Sequence, residues 1–237
     1  MRILVINPNS TASMTAAIGA AAQRAAAPGT TIVARNPADG PPAIQGAEDG
    51  AAALPGLFAL FETEVLNKGG AKEKYDAVVI ACFDDTGLRE LKARSPVPVL
   101  GIGEAGFLAA MLVAERFSVV TTLAVSLPVI EANLAGYGWA GRCAKVRASG
   151  IPVLDLEAAA GSVVETIAAE IDAALAEDGC GAVVLGCAGM ADLAEQMTER
   201  FGIPVIDGVA AAVAFCEALQ RAGVGNSRPA PEPLPVS

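Results

Sequence analysis

Asp76-Ala77-Val78-Val79-Ile80-Ala81-Cys82 and Gly181-Ala182-Val183-Val184-Leu185-Gly186-Cys187 are one pattern occurring twice in a chain of 237 residues. Each is a short, unbroken apolar run, the pattern of a strand buried on both faces of a parallel sheet. Each ends on a cysteine and passes through a glycine-containing turn into a helical stretch, residues 88–94 in one copy and 192–200 in the other. A proline-primed strand follows, Pro96-Val97-Pro98-Val99-Leu100-Gly101 or Ile203-Pro204-Val205-Ile206-Asp207-Gly208, and an Ala-rich helix closes both units. More weakly, Arg2-Ile3-Leu4-Val5-Ile6-Asn7 parallels Arg116-Phe117-Ser118-Val119-Val120-Thr121. Chains rich in Val and Ala self-align by chance, but here two cysteines fall at the same point of a matched order of elements. The pattern reads as a duplication.

Working outward, strands are expected at 3–6, 31–34, 77–81, 97–101, 118–121, 146–148, 182–185 and 205–206. Helical patterns fill the gaps at 14–26, 51–67, 104–114, 127–135, 158–177 and 209–222. Strands alternating with helices give an α/β fold with helix-covered parallel sheets. The expected architecture is two similar Rossmann-like lobes with mainly parallel sheets, related by a pseudo-twofold axis. Residues 1–105 plus 209–237 form the first lobe and 106–208 the second. Ligands of open α/β sheets bind beyond the C-terminal strand ends, so the active site is expected in the cleft between the lobes, with both cysteines in it. The tail Ser227-Arg228-Pro229-Ala230-Pro231-Glu232-Pro233-Leu234-Pro235 reads as a flexible or surface-draped end.

Composition narrows the chemistry. The chain is 53% hydrophobic but only 4% aromatic, so its core must come from Ala, Val, Leu and Ile. No apolar run reaches the roughly 18 residues a membrane span needs. The apolar start, residues 1–7, is too short for a signal peptide and reads as a strand, so a soluble cytoplasmic protein is expected. A net charge of −10 argues against nucleic-acid binding, which needs clustered cations. Five cysteines without a CxxC pair make a poor disulfide framework and a poor zinc site. There is no histidine, which removes Ser-His-Asp and Cys-His hydrolases and any His-based proton transfer.

Cys82 and Cys187 remain as candidates for acid–base work. Each is placed after a strand and at a helix start, where unpaired N–H groups and the helix dipole lower a thiol pKa. One thiolate removes a proton from a carbon beside a carbonyl, and the opposite thiol delivers one to the other face. The pair titrates as a coupled unit. Backbone amides at 83–85 and 188–190 are expected to stabilise the enolate oxygen, and Gly189 to let the backbone approach a ligand. Cys143, Cys180 and Cys216 are read as core or structural residues. A redox pair of Cys82 and Cys187 is the lesser alternative.

Three stretches carry a resemblance: residues 2–11 (RILVINPNST), 81–88 (ACFDDTGL) and 185–190 (LGCAGM). Together with Gly40-Pro41-Pro42-Ala43-Ile44 and Pro204-Val205-Ile206-Asp207-Gly208, they resemble the hydantoin racemase branch of the Asp/Glu racemase superfamily over nearly the whole chain except the tail. The resemblance implies cofactor-independent racemisation of 5-monosubstituted hydantoins at C5 by Cys82 and Cys187, with no cofactor and no metal. It implies a small-molecule partner of the cyclic ureide type, no nucleic-acid or membrane partner, and a homo-oligomer. It also places Asn9, Ile44, Phe83, Thr121, Thr122, Ala188 and Gly189 around the substrate, with Ile44 on a covering loop. Alternatives stay open for several residues. Asn9-Ser10-Thr11 could cap the first helix, Thr121 and Thr122 could be plain strand-end hydroxyls, and Asp84 and Asp85 could be solvated N-cap carboxylates.

Departures from sister families bear on the substrate. Ala188-Gly189 stands where Asp and Glu racemases have Thr-His, and both thiols are present, unlike in the arylmalonate decarboxylases. No carboxylate clamp surrounds the cysteines; Arg89 is the nearest cation in sequence. Allantoin racemisation is the nearest rival. Isomerisation or decarboxylation of small carboxylic acids, and non-catalytic binding, rank below it.

Overall fold

The computed structural model describes residues 1–66, 74–158 and 161–226. The expected helix ends at Asn67 and at 159–160, and the proline-rich tail, lie outside the described residues. Eight strands alternate with helices: β1 (Arg2–Ile6), α1 (Ala12–Ala25), β2 (Thr31–Arg35), α2 (Ala47–Glu64), β3 (Ala77–Ile80), α3 (Leu88–Arg94), β4 (Val99–Gly101) and α4 (Ile102–Val113) come first. Then come β5 (Phe117–Thr121), α5 (Leu127–Gly136), β6 (Cys143–Ala148), α6 (Gly161–Glu177), β7 (Ala182–Gly186), α7 (Ala194–Phe201), β8 (Val205–Asp207) and α8 (Gly208–Arg221).

The strands form two four-stranded sheets of identical order, β2-β1-β3-β4 and β6-β5-β7-β8. Every pairing is parallel. The duplication expected from the two cysteine-terminated runs is therefore a duplication of sheets: β3 and β7 hold the same place in each.

Strand periodicity explains why those runs are apolar throughout. In β1, Ile3 and Val5 face the middle of the molecule, while Leu4 and Ile6 face outward onto α2 and α3. In the second sheet, Val119 and Val184 point inward, and Val120, Val183 and Leu185 pack under α6 and α7. Both faces are covered, so neither can be polar; each fully buried Val, Leu or Ile contributes about 1.5–3 kcal/mol.

Two helices cross over. α4 leaves the first sheet and packs against β7, while α8 leaves the second and packs on α1 and against β3. A Cβ on Gly106 would meet Val184 Cγ1 at 2.8 Å, so α4 lies on the second sheet at glycine distance. Phe107 of α4 stacks on Phe117 of β5 and meets Phe83 edge-on, at centroid distances of 5.8 and 5.3 Å. One core thus spans both sheets. No helix among the described residues is long and apolar enough to cross a membrane.

Candidate active site

Both cysteines sit one or two residues past a central strand, at the C-terminal edge of its sheet. Their turns are near copies. The Asp85 N–H donates to the Cys82 carbonyl at 3.0 Å, and the Met190 N–H donates to the Cys187 carbonyl at 3.0 Å. The N–H of the residue two positions on, Asp84 or Gly189, favours the anionic form of the thiol. The Thr86 hydroxyl stands 3.4 Å from Cys82 Sγ. Cys187 caps a 3-10 turn, Ala188–Leu193, whereas α3 starts six residues after Cys82. Cys82 is therefore not at a helix N-terminus.

The Cys82 turn is held by its carboxylates and by α5 of the second sheet. Asp85, in the left-handed region at φ 49°, accepts from Gly103 N–H at 3.0 Å, Glu104 N–H at 2.7 Å and the Tyr137 hydroxyl at 2.8 Å. It thereby caps α4 from a distant loop. The matching helix α8 is capped locally by Asp207, which accepts from Val209 and Ala210 N–H. The first copy has Gly101 at that place, and a Cβ there would fall inside the Asp85 carboxylate. Asn133 of α5 adds a bond to the Asp84 carbonyl at 2.8 Å. Asp85→Ala would leave two helix N–H groups and the half-buried Tyr137 hydroxyl unpaired. It is expected to cost about 3 kcal/mol, read as a lowered urea midpoint at unchanged slope. An unchanged midpoint would show that water replaces the carboxylate without loss.

Cys82 and Cys187 line the same cavity. Asn7, Asn9, Ile44, Phe83, Asp84, Thr121, Thr122, Ser126 and Ala188 line it too, and among the described residues no Lys or Arg does. At about 30 Å³ the space between them holds little more than one water. Met14, Ile18 and Val153 separate it from a second cavity of about 400 Å³, which Ala17, Leu156, Val163, Val164 and Leu193 make largely apolar. The roof is the loop before α2. The Ser10 hydroxyl donates to Gly40 O, the Thr11 hydroxyl to Pro42 O at 2.6 Å, and Val153 N–H to Gln45 Oε1 at 3.1 Å. Ile44 is thereby set, 8% exposed, over the thiols.

The electrostatics correct the sequence expectation of lowered thiol pKa values. Burial, then the Asp84 charge, push the Cys82 thiol far above its usual range. Burial pushes Cys187 up to about 11, with Asp84 adding to it and the Gly189 N–H opposing. Desolvation of an anion outweighs one backbone donor, and Cys82 has no helix terminus to help it. Asp84 and Asp85 are not solvated caps either. Burial pushes them up to about 6 and about 7, against the Gly46 N–H on Asp84 and the Tyr137 hydroxyl on Asp85.

Of the residues expected around a substrate, Asn9, Ile44, Phe83, Thr121, Thr122 and Ala188 line the thiol cavity; Gly189 lines the apolar neighbour instead. Thr121 donates its hydroxyl to Gly186 O at 2.8 Å, which ties β5 to β7 and leaves the group committed within the sheet. Asn9 serves both readings. Its Oδ1 accepts from Thr11 N–H at the start of α1 and from Asn7, while its Nδ2 reaches Met14 Sδ at 3.7 Å. The amides of Asp85 and Met190 are spent on the cysteine carbonyls, which removes them as donors to an enolate. Asn7 and Ser126 were missed as lining residues, while Asp84 lies in the turn after Cys82, which the resemblance places at the cleft. Asp84 carried a signal, being one of two neighbouring acids beside a cysteine. Ser126 carried none, since only the packing of the segment after β5 brings it in. Cys143, Cys180 and Cys216 lie away from the cavity.

The family model described as Asp/Glu/hydantoin racemase matches residues 3–216. A hydantoin racemase of Rhizobium meliloti is 45% identical over 96% of this chain and 92% of its own length. Among solved structures, an allantoin racemase from Klebsiella pneumoniae superposes with a TM-score of 0.91 at 43% identity, covering 100% of this chain and 96% of that one. A glutamate racemase from Francisella tularensis shares the fold alone, with a TM-score of 0.64 at 15% identity over 96% of this chain and 85% of its own.

Proposed function

The chain belongs to the Asp/Glu/hydantoin racemase family and is a racemase, and from that premise we propose that it interconverts the enantiomers of 5-monosubstituted hydantoins with Cys82 and Cys187 as its two proton carriers. The observation that carries this reading is that the two thiols line one cavity from matching turns of two like sheets.

The step balances without an added group. A thiolate takes the C5 proton and becomes a thiol, and the C5–H electron pair moves into the ring as the C4 enolate. The opposite thiol gives its proton to the other face of C5 and becomes the thiolate. The Ala188 N–H, first of its 3-10 turn and without an intrahelical acceptor, and Asn9 Nδ2, bonded weakly to a sulfur, are the donors suited to the enolate oxygen. A five-membered ring needs more room than the thiol cavity gives. It enters by displacing the Met14–Ile18–Val153 wall toward the apolar cavity, where the C5 substituent then lies. The lack of lining cations among the described residues weighs against carboxylate substrates.

Allantoin is the second reading, favoured by the likeness to the Klebsiella enzyme. Chiral chromatography of single enantiomers of 5-benzylhydantoin and allantoin in deuterium oxide separates the two. Loss of optical purity with deuterium at C5 is expected for 5-benzylhydantoin, about ten-fold or more faster than for allantoin, whose ureido group would be stripped of water in an apolar pocket. The reverse order establishes the allantoin reading, and no racemisation of either sinks both.

A further inference from the structure

Asp84 carries a buried oxygen with no use in the protein itself. The Gly46 N–H of the roof loop favours its charged form, yet Oδ2 is shut off from solvent and has no hydrogen-bond partner among the described residues. A buried unpaired carboxylate oxygen is costly and calls for an explanation. It lies in the wall that both cysteines share, near enough for its charge to act on each of them. Resting on the hydantoin reading, we infer that Asp84 Oδ2 accepts a hydrogen bond from N1–H of the substrate ring and so fixes which edge of the ring faces the Cys82 turn.

Charge decides the partner. A carboxylate beside the C4 oxygen would oppose the negative charge that grows there, so Asp84 must face the other neighbour of C5. That neighbour is N1, which carries a donor. The more distant N3–H lies across the ring from a carbon held between the thiols. A substrate carboxylate would meet Asp84 as a like charge, so the same oxygen selects neutral N–H-bearing rings.

Calorimetry with unsubstituted hydantoin tests this, because the compound is achiral and its binding heat contains no net reaction. Asp84→Asn keeps the side chain's shape but removes its charge, and is expected to weaken hydantoin binding by about ten-fold or more. Wild-type protein should lose as much against 1-methylhydantoin and little against 3-methylhydantoin, a contrast that needs no variant to fold. In Asp84→Ala the N1-methyl penalty should shrink to about two-fold, since the coupled partner is gone. Equal hydantoin affinity in Asp84→Asn and wild type, or a penalty from the N3 methyl alone, overturns the inference. Racemisation of 5-benzylhydantoin is read in parallel. Racemisation without the N1 contrast sinks the Asp84 contact alone, and the contrast without racemisation sinks only the hydantoin racemase reading.

Discussion

Cys82→Ala and Cys187→Ala are each expected to slow racemisation of a single-enantiomer 5-substituted hydantoin by about 10³-fold or more, within the range for loss of a positioned acid or base. Each direction of the reaction uses one thiol as base and the other as acid, so neither can be spared. A sharper result separates two bases from one. Where the surviving thiol faces the C5 proton, it can still remove that proton and return a deuteron to the same face. One enantiomer should therefore exchange C5 hydrogen without racemising, and Cys82→Ala and Cys187→Ala should favour opposite enantiomers. Serine at either position is expected to do little better, because a hydroxyl gives up its proton far less readily than a thiol. Full racemisation by either alanine variant, with native circular dichroism, would end the two-thiol mechanism.

The pH dependence should be nearly as large. Cys187 is pushed up to about 11 and Cys82 further, first by burial and then by Asp84. A raised thiol pKa makes thiolate scarce at neutral pH. The base form then grows about ten-fold per pH unit below the first ionisation of the pair. From pH 7 to pH 9, iodoacetamide alkylation of the two cysteines and kcat/KM should both rise by about 100-fold, with no plateau. Alkylation reads the thiols without any substrate ionisation. Asp84 is ionised over most of this range, so Asp84→Asn should shift both curves toward lower pH. A curve already flat above pH 7.5 would mean that the turns lower the thiol pKa values after all, as their place at strand ends first suggests.

Local sequence and tertiary placement divided the work unevenly. All eight strands were legible, because runs such as Val78-Val79-Ile80 and Val183-Val184-Leu185 are apolar on both strand faces, and only a parallel sheet covered on both sides permits that. The repeat was legible because the cysteines mark the same register in each copy. Asn9, Ile44 and Thr122 came from resemblance rather than from any local physical signal. The ionisation of the thiols was not legible at all. A strand-to-helix turn suggests an anion site, but whether it lowers a pKa depends on how much water the finished fold leaves there. Asp84 and Asp85 show the same limit. In the chain they are neighbouring acids in a turn. In the fold, α5 and the α4 N-terminus bind one, and the other lines the thiol cavity with a buried oxygen unpaired. By itself, then, the sequence determined the two sheets and the two cysteine turns, since hydrophobic periodicity acts over a few residues. Only the tertiary structure decided that both thiols share one small cavity with an unpaired carboxylate oxygen of Asp84, because desolvation and charge coupling arise from atoms far apart in the chain.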